Sequence, residues 1–216
     1  MVNVKNFDNL PTKEKILRVS ADIIVNEGLR KFTARNVAER LGITDAAIFK
    51  HFKSMDDIIF EIIERYVSRC SKSADEAEKQ EKSVIDRLYQ ILKNHIKVLE
   101  ETKGAVPVLC FEFLRSEEKK FYTILKEFIE DYKRKVGDLI REGQSKGMIR
   151  KDIDPEGTAM LFIGLIQAKV FAYLLDGKKG KIVEDPEQFI SEIFYGILDE
   201  KGKLERKKEE VEIKTR

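Results

Sequence analysis

A short run near the N-terminus places basic and aromatic side chains next to one another. It reads FKHFK over residues 49–53, and it closes the stretch FTARNVAERLGITDAAIFKHF, which begins at Phe32. Lysine and histidine side chains bind phosphate oxygens, and small residues on a helix allow close approach to a nucleic-acid groove. The run indicates a DNA-contacting surface, provided that the preceding residues hold it outward.

Two short helical patterns flank a single glycine in this stretch. Thr33 is placed to cap the first helix and Thr44 the second, while Gly42 can end the first helix in the left-handed conformation. Ile48 and Phe52, four residues apart, can anchor the second helix to a core. Two helices joined by a short glycine-containing turn are typical of a helix-turn-helix.

The side chains that the core does not take form the candidate DNA surface. The first residues of a recognition helix meet base edges, and Ala46 and Ala47 are small enough to let the helix sit deep. Asp45 has two open interpretations, since it can accept a hydrogen bond from a cytosine amino group or simply begin the helix. The candidates are Arg35, Thr44, Asp45, Ala46, Ala47, Phe49, Lys50, His51 and Lys53.

Local charge is more informative than overall charge, which is only +2. Between residues 30 and 53 the basic residues outnumber the acidic ones by four, six minus two. They are Arg30, Lys31, Arg35, Arg40, Lys50 and Lys53, against Glu39 and Asp45. A solvated surface would show the same excess, so charge alone leaves both interpretations open.

Composition predicts an all-α fold. The 216 residues are 37% charged and include only 4 prolines and 12 glycines, and the cap and periodicity signals predict about nine helices. Residues 1–54 form a predicted three-helix DNA-binding domain. Residues 55–198 form a larger helical domain whose first helix, 55–70, connects the two, and residues 199–216 form a charged tail.

Several classes of protein are disfavoured by what the sequence contains. The two cysteines form no CxxC pair and the N-terminus lacks an apolar signal segment, so a cytoplasmic protein is expected. There is no Glu-x-x-His, P-loop, GxGxxG or GxSxG motif. We therefore expect no enzyme activity, no metal site and no cofactor.

The most apolar stretch, TAMLFIGLIQAKVFAYLL over residues 158–175, contains Gln167 and Lys169, which favour a buried helix over a membrane span. A helix apolar on every side needs cover on every side, and a second subunit can supply it through a shared four-helix bundle. A fully enclosed monomer core is the alternative. The predicted dimer interface comprises Phe162, Ile166, Val170, Phe189, Ile193, Phe194 and Ile197.

Aromatic residues crowd the middle of the chain, with the lone polar residues His95, Cys110 and Gln167 inside apolar runs. Apolar walls with a few polar groups suit a small, mostly apolar ligand, although ordinary core packing is the alternative. The candidate pocket residues are Tyr89, Leu92, His95, Ile96, Cys110, Phe113, Tyr122, Leu125, Phe128, Ile163 and Gln167.

Residues 12–65 resemble the DNA-binding domain of the TetR (tetracycline-repressor) family of bacterial regulators. The resemblance rests on a first helix ending in NEG, then FTARNVAERLGI, AIFKHF and KSMDDI, and more loosely on EGQSKGMIRKDIDPEGTA. It implies an all-α homodimer, a ligand pocket in the larger domain and a DNA operator with two-fold symmetry.

The resemblance also bears on single residues. It adds Thr33 to the DNA contacts and favours Arg35, Lys50, His51 and Lys53. Phe49 departs from the family, which usually has a tyrosine whose hydroxyl donates to a phosphate, a bond worth roughly 1–3 kcal/mol. Met55 stands where a lysine is common, which removes another phosphate contact.

The sequence as a whole predicts a ligand-responsive transcriptional regulator. In this hypothesis a repressor is released from a palindromic operator when a small, mostly apolar effector binds the larger domain. A helical DNA-binding or architectural protein that senses no small molecule is the alternative.

Overall fold

The computed structural model describes residues 9–79, 82–115, 118–197 and 200–201. These residues form nine α-helices and one 3-10 turn, Leu29–Lys31, which confirms the predicted all-α class. The helices are α1 (Thr12–Glu27), α2 (Ala34–Leu41), α3 (Asp45–Phe49), α4 (Met55–Glu78), α5 (Val84–Glu101), α6 (Ala105–Phe113), α7 (Lys119–Ser145), α8 (Pro155–Leu175) and α9 (Pro186–Ile197).

Side-chain caps set the starts of the longer helices. Ser54 Oγ accepts a hydrogen bond from the backbone N–H of Asp57 at 3.1 Å, at the start of α4. Asp154 Oδ2 accepts from the backbone N–H of Gly157 at 2.5 Å, and Pro155 takes the first position of α8. Proline is suited to that position because the first N–H groups of a helix have no intrahelical acceptor.

The chain divides into two compact units. Unit one comprises Met1–Val67 with Glu101–Ile124, and unit two comprises Ser68–Glu100 with Leu125–Arg216. Unit one therefore contains α1 to α3, as predicted for the DNA-binding domain, and also α6. Helices α4 and α7 each contribute residues to both units. The predicted domain boundary after residue 54 stays a prediction, and the predicted tail lies outside the described residues except for residues 200 and 201.

Each unit has its own apolar core, in which the inward face of every helix is lined by branched and aromatic side chains. In unit one the buried residues include Ile16, Ile23, Val37, Ile48, Phe52, Ile58 and Phe121. In unit two they include Ile85, Leu88, Leu92, Ile96, Val136, Phe162, Ile166 and Phe194.

Helix α4 is longer than the predicted connecting helix over residues 55–70, whose end is therefore wrong. It continues to Glu78, and its last turns bury Ser73, Ala74 and Ala77. The sequence after residue 70 lacks large apolar groups, and this absence suggested an exposed end or a loop. Alanine is the best helix former and packs closely where backbones approach, so small side chains can continue a buried helical face.

The residues predicted for the dimer interface lie in the core of unit two. Phe162, Ile166, Val170, Phe189 and Phe194 are buried within the single chain, Ile193 is half-buried, and the side chain of Ile197 lies outside the described residues. The rings of Phe162 and Phe194 are 6.2 Å apart. The prediction chose the wrong face because a helix that is apolar all round gives no periodic signal for its inward side.

The opposite face of α8 is exposed and still apolar. We call it the α8 stripe, and it consists of Leu161, Gly164, Leu165, Ala168, Phe171, Ala172 and Leu175. By length and composition α8 is the one described helix that could cross a membrane, but core helices of soluble proteins meet the same criteria. Its other face packs into the core of unit two, as predicted for a buried helix.

Candidate nucleic-acid interface

The turn between α2 and α3 has the geometry that a helix-turn-helix needs. Gly42 ends α2 in the left-handed region at φ 64° and ψ 33°, where a side chain would be strained. The backbone N–H of Ile43 returns to the carbonyl of Ala38 at 3.1 Å, which satisfies a carbonyl at the helix end. Ala38 is buried, and its small side chain allows the two helices to approach.

Threonine caps hold both short helices, as predicted. Thr33 Oγ1 accepts from the backbone N–H of Asn36 at 3.2 Å, and Thr44 Oγ1 accepts from the backbone N–H of Ala47 at 3.3 Å. The N-terminal end of α3 thereby keeps its direction without covering its outer side.

Helix α3 buries one side and exposes the other. Ile48 is fully buried, and Phe52 is buried just beyond the end of the helix, which fixes its inward face. Asp45 and Ala46 are exposed, Ala47 is half-buried, and the Phe49 ring is 47% exposed. An aromatic ring this exposed contributes little to the core, so Phe49 belongs to the outer surface.

The basic residues follow the helix rather than extend it. α3 ends at Phe49, and the backbone N–H groups of Lys50 and His51 bond back to Ala46 and Ile48 at 3.2 and 2.9 Å. Lys50, His51 and Lys53 are exposed. Within the described part of the chain, neither Lys50 nor Lys53 forms an ion pair, so their charge is available to an anionic partner.

The local basic excess is distributed differently from the prediction. Arg40 forms an ion pair with Glu27 of α1 and lies 3.5 Å from Asp22, so it joins α2 to α1. Arg35 pairs with Glu39 one helical turn away at 3.0 Å, and both side chains are highly exposed. The Arg35 pair is easily exchanged for a phosphate contact, whereas Arg40 has a structural role.

Arg30 and Lys31 are basic residues that the prediction counted as charge but did not assign as contacts. They lie exposed in the 3-10 turn before α2. The side-chain amide of Asn36 donates to the Lys31 carbonyl at 2.9 Å and joins this turn to the start of α2. Their position next to the cap residue Thr33 was the signal that could have identified them.

The first turn of α4 is acidic, and a lysine from α7 partly neutralises it. Lys120 Nζ lies 2.6 Å from Asp57 and 2.7 Å from Glu118, and the hydrogen bond from Lys120 lowers the pKa of Asp57. Burial, and next the neighbouring Glu118, raise the pKa of Asp56. Fewer free negative charges therefore follow the basic surface in sequence.

The predicted pocket residues are divided between the two units. Most lie buried in unit two: Tyr89, Leu92, His95, Ile96, Leu125, Phe128 and Ile163, with Gln167 half-buried. In unit one Phe113 is buried, Cys110 is half-buried, and Tyr122 is 56% exposed. Their assignment to one pocket stays a prediction.

Comparison with known proteins agrees with this geometry. Residues 16–62 match the family described as bacterial regulatory proteins of the tetR family, and residues 60–198 match the C-terminal region of YsiA-like proteins. The fatty acid metabolism regulator protein of Bacillus subtilis (strain 168) is 19% identical over 87% of this chain and 96% of that protein. The nucleoid occlusion factor SlmA of Marinomonas sp. (strain MWYL1) is 23% identical over 88% and 94%.

A solved structure shows the same fold. It is the transcriptional regulator FadR from Bacillus subtilis in complex with stearoyl-CoA, with a TM-score of 0.67, 18% identity, and coverage of 83% of this chain and 96% of that one.

A capped helix-turn-helix with an exposed recognition helix, joined to a larger helical unit, defines a ligand-responsive, DNA-binding transcriptional regulator. The chain belongs to the TetR family.

Proposed function

We propose that the protein is a cytoplasmic, homodimeric repressor that binds a palindromic operator and releases it when a small, mostly apolar effector binds unit two. The observation that carries the proposal is the surface of α3. It is exposed, capped and bordered by Lys50 and Lys53, which have no ionic partner among the described residues.

The proposed DNA contacts divide by chemistry. Asp45, Ala46 and Ala47 face base edges, with the alanines touching thymine methyl groups. Thr33, Thr44, Lys50, His51 and Lys53 face phosphates, and Arg35 exchanges its Glu39 partner for DNA. Phe49 packs against the backbone without donating a hydrogen bond, because it lacks a hydroxyl.

The α8 stripe supports the proposed homodimer. Leu161, Phe171 and Leu175 are 62%, 65% and 71% exposed, which is unusual for large apolar side chains in a row on one helix. A second copy of the chain offers the same stripe, and two-fold pairing buries both at once. Such a dimer presents two recognition helices to half-sites about 34–36 Å apart, or a multiple of that distance.

The proposed effector is mostly apolar because the interior of unit two is. Buried aromatic and aliphatic side chains dominate it, with His95 as a buried polar exception. The FadR structure was solved with stearoyl-CoA, a molecule with a long apolar chain.

Chain connectivity provides a route from effector to DNA. α4 begins five residues after α3 ends, at Met55, and continues into unit two. α7 begins in unit one, where Lys120 binds Asp57 of α4, and also continues into unit two. An effector that binds the two states with different affinity would shift α4 and, with it, the recognition helix.

The test begins with selection of binding sites from random DNA, which is expected to yield a two-fold symmetric sequence. The Lys50→Ala/Lys53→Ala double variant is then expected to bind this operator about 10-fold or more weakly. Its salt dependence should fall by about one unit of slope per lysine, because each removed cation releases fewer counterions. Fluorescence anisotropy over a salt series measures both quantities.

The matched control is Lys179→Ala/Lys181→Ala, which removes two exposed lysines from the α8–α9 connection of unit two. It changes the net charge equally and is expected to keep the wild-type affinity and salt slope. Equal losses in the two double variants would mean that overall charge, and not the α3 surface, binds DNA.

A second candidate function is DNA binding without a small-molecule effector, as in an architectural protein. The similarity to a nucleoid occlusion factor favours keeping it. Native mass spectrometry of the purified protein separates the two, because a molecule retained in unit two fits the effector-responsive repressor alone.

A further inference from the structure

Three helices of unit two bring polar side chains together in its apolar core. Cys70 lies on α4, His95 on α5 and Tyr132 on α7, and all three are buried. The rings of His95 and Tyr132 are 6.1 Å apart, and the Phe128 ring lies 6.0 Å from that of Tyr132.

The Tyr132 hydroxyl lacks a hydrogen-bond partner among the described residues, although Tyr132 is only 2% exposed. A buried hydroxyl without a partner costs free energy, and native proteins nearly always provide one. Polar groups on the neighbouring helices are satisfied. Asn94 donates to Ser73 Oγ at 2.7 Å, and Gln90 donates to Asn94 Oδ1 at 2.9 Å.

The buried charges of unit two are already neutralised. Among its described residues the buried cations are Arg87 and Lys135, and Arg87 pairs with Glu142 at 2.6 Å. Lys135 pairs with Asp131 at 2.7 Å and also with Asp75. A charged ligand group entering this core would find no buried cation free to balance it.

We propose that Tyr132 is the polar anchor of the effector site, and that its hydroxyl donates a hydrogen bond to an uncharged oxygen, such as a ketone, ester or thioester carbonyl, on an otherwise apolar effector. This inference rests on the proposed effector-responsive function and specifies the chemistry that unit two recognises.

The protonation states of the cluster fit a neutral partner. Burial, with a smaller contribution from Cys70, raises the pKa of Tyr132 well above its ordinary value, so the hydroxyl keeps its proton and acts as a donor. Burial lowers the pKa of His95 to about 4, so the imidazole is neutral at physiological pH. The cluster therefore offers hydrogen bonds without net charge, which disfavours a carboxylate.

The first test measures the stability of the full-length protein after bound lipid has been removed. Tyr132→Phe deletes only the hydroxyl, and its melting temperature is expected to equal that of the wild type or to exceed it by about 2–4 °C. Tyr195→Phe, which removes an exposed hydroxyl from α9 of the same unit, is the matched control and should leave the melting temperature unchanged. A clear decrease in Tyr132→Phe would overturn the proposal, because the hydroxyl would then already be bonded within the protein or to a buried water.

The second test uses 2-dodecanone and dodecanoate as probes, which share an apolar chain but differ in charge. 2-Dodecanone is expected to stabilise the wild type and Tyr195→Phe against heat, and to bind Tyr132→Phe about 3- to 10-fold more weakly, the loss of one neutral hydrogen bond. Dodecanoate is expected to stabilise the wild type less than the ketone does. If the ketone stabilises the wild type no more than Tyr132→Phe, or less than dodecanoate does, the anchor assignment is wrong.

Operator binding separates failure of this inference from failure of the proposed function. Tyr132→Phe lies outside the DNA surface and is expected to bind the selected operator as the wild type does. If operator binding is intact and the ketone fails, only the anchor is wrong. If the wild type selects no specific operator, the proposed function is wrong.

Discussion

The charge state of His95 is the residue-scale feature with the clearest consequence for stability. Its ordinary pKa is 6.5, and burial lowers the pKa to about 4 in the folded protein. Between these values the unfolded chain binds a proton that the folded protein does not, so the free energy of unfolding falls as the pH is lowered.

We predict that stability is insensitive to His95 above about pH 7 and declines below pH 6.5 by up to about 1.4 kcal/mol per pH unit. His95→Gln should flatten this slope between pH 6.5 and 4.5, measured by urea unfolding over a pH series. His51→Gln, which loses an exposed imidazole of unit one, is the control and should retain the slope. An unchanged slope in His95→Gln would show that His95 is not the buried neutral base described here.

Carboxylates do not mimic this effect in the same range. The hydrogen bond from Arg87 lowers the pKa of Glu142 below its ordinary value of 4.5. A carboxylate with a lowered pKa loses its stabilising charge only as the pH falls below its ordinary value. The interval above pH 4.5 therefore reports on histidine.

At the scale of elements, the α2–α3 turn depends on one backbone conformation. Gly42 has a positive φ of 64°, and a Cβ built there meets no atom within 4 Å. The cost of a side chain at this position is therefore backbone strain and not a clash. That strain acts directly on the angle at which α3 leaves the turn.

We predict that Gly42→Ala destabilises the protein by about 1–2 kcal/mol, the cost of a left-handed conformation for an L-residue. Gly137→Ala is the matched control, because Gly137 lies within α7 and an added Cβ would make ordinary contacts of 3.5 Å or more. It should be neutral or stabilising by up to about 1 kcal/mol, since alanine favours helix more than glycine does. Equal effects of the two variants on urea midpoints would contradict the role assigned to the turn.

At the scale of the whole molecule, the α8 stripe is expected to decide the oligomeric state. Phe171 is 65% exposed in the middle of this apolar surface. In a two-fold dimer one substitution changes both sides of the interface, so a single charge is placed twice in an apolar contact.

We predict that Phe171→Glu is a monomer at micromolar concentration in size-exclusion chromatography with light scattering, and that it binds the palindromic operator more weakly than the wild type. Phe111→Glu provides the control, because Phe111 is 62% exposed on α6 of unit one and lies outside the stripe. A monomer from Phe111→Glu and a dimer from Phe171→Glu would move the interface to α6.

Local sequence signals determined most of the fold and the DNA surface. Thr33 and Thr44 act as caps, Gly42 is the left-handed terminator, and Ile48 and Phe52 are the buried anchors, each as predicted. These features depend on neighbours within about four residues, so the sequence contains the information needed to locate them.

Tertiary structure decided the features whose partners are distant in sequence. Arg40 left the basic surface because α1 placed Glu27 beside it, and α4 continued past residue 70 because Ala74 and Ala77 found a core to pack into. The inward face of α8 was set by packing of Phe162 against Phe194 of α9, which left Leu161, Leu165 and Phe171 outside. A helix that is apolar on all sides has no preferred inward face of its own, so only the rest of the fold could choose it.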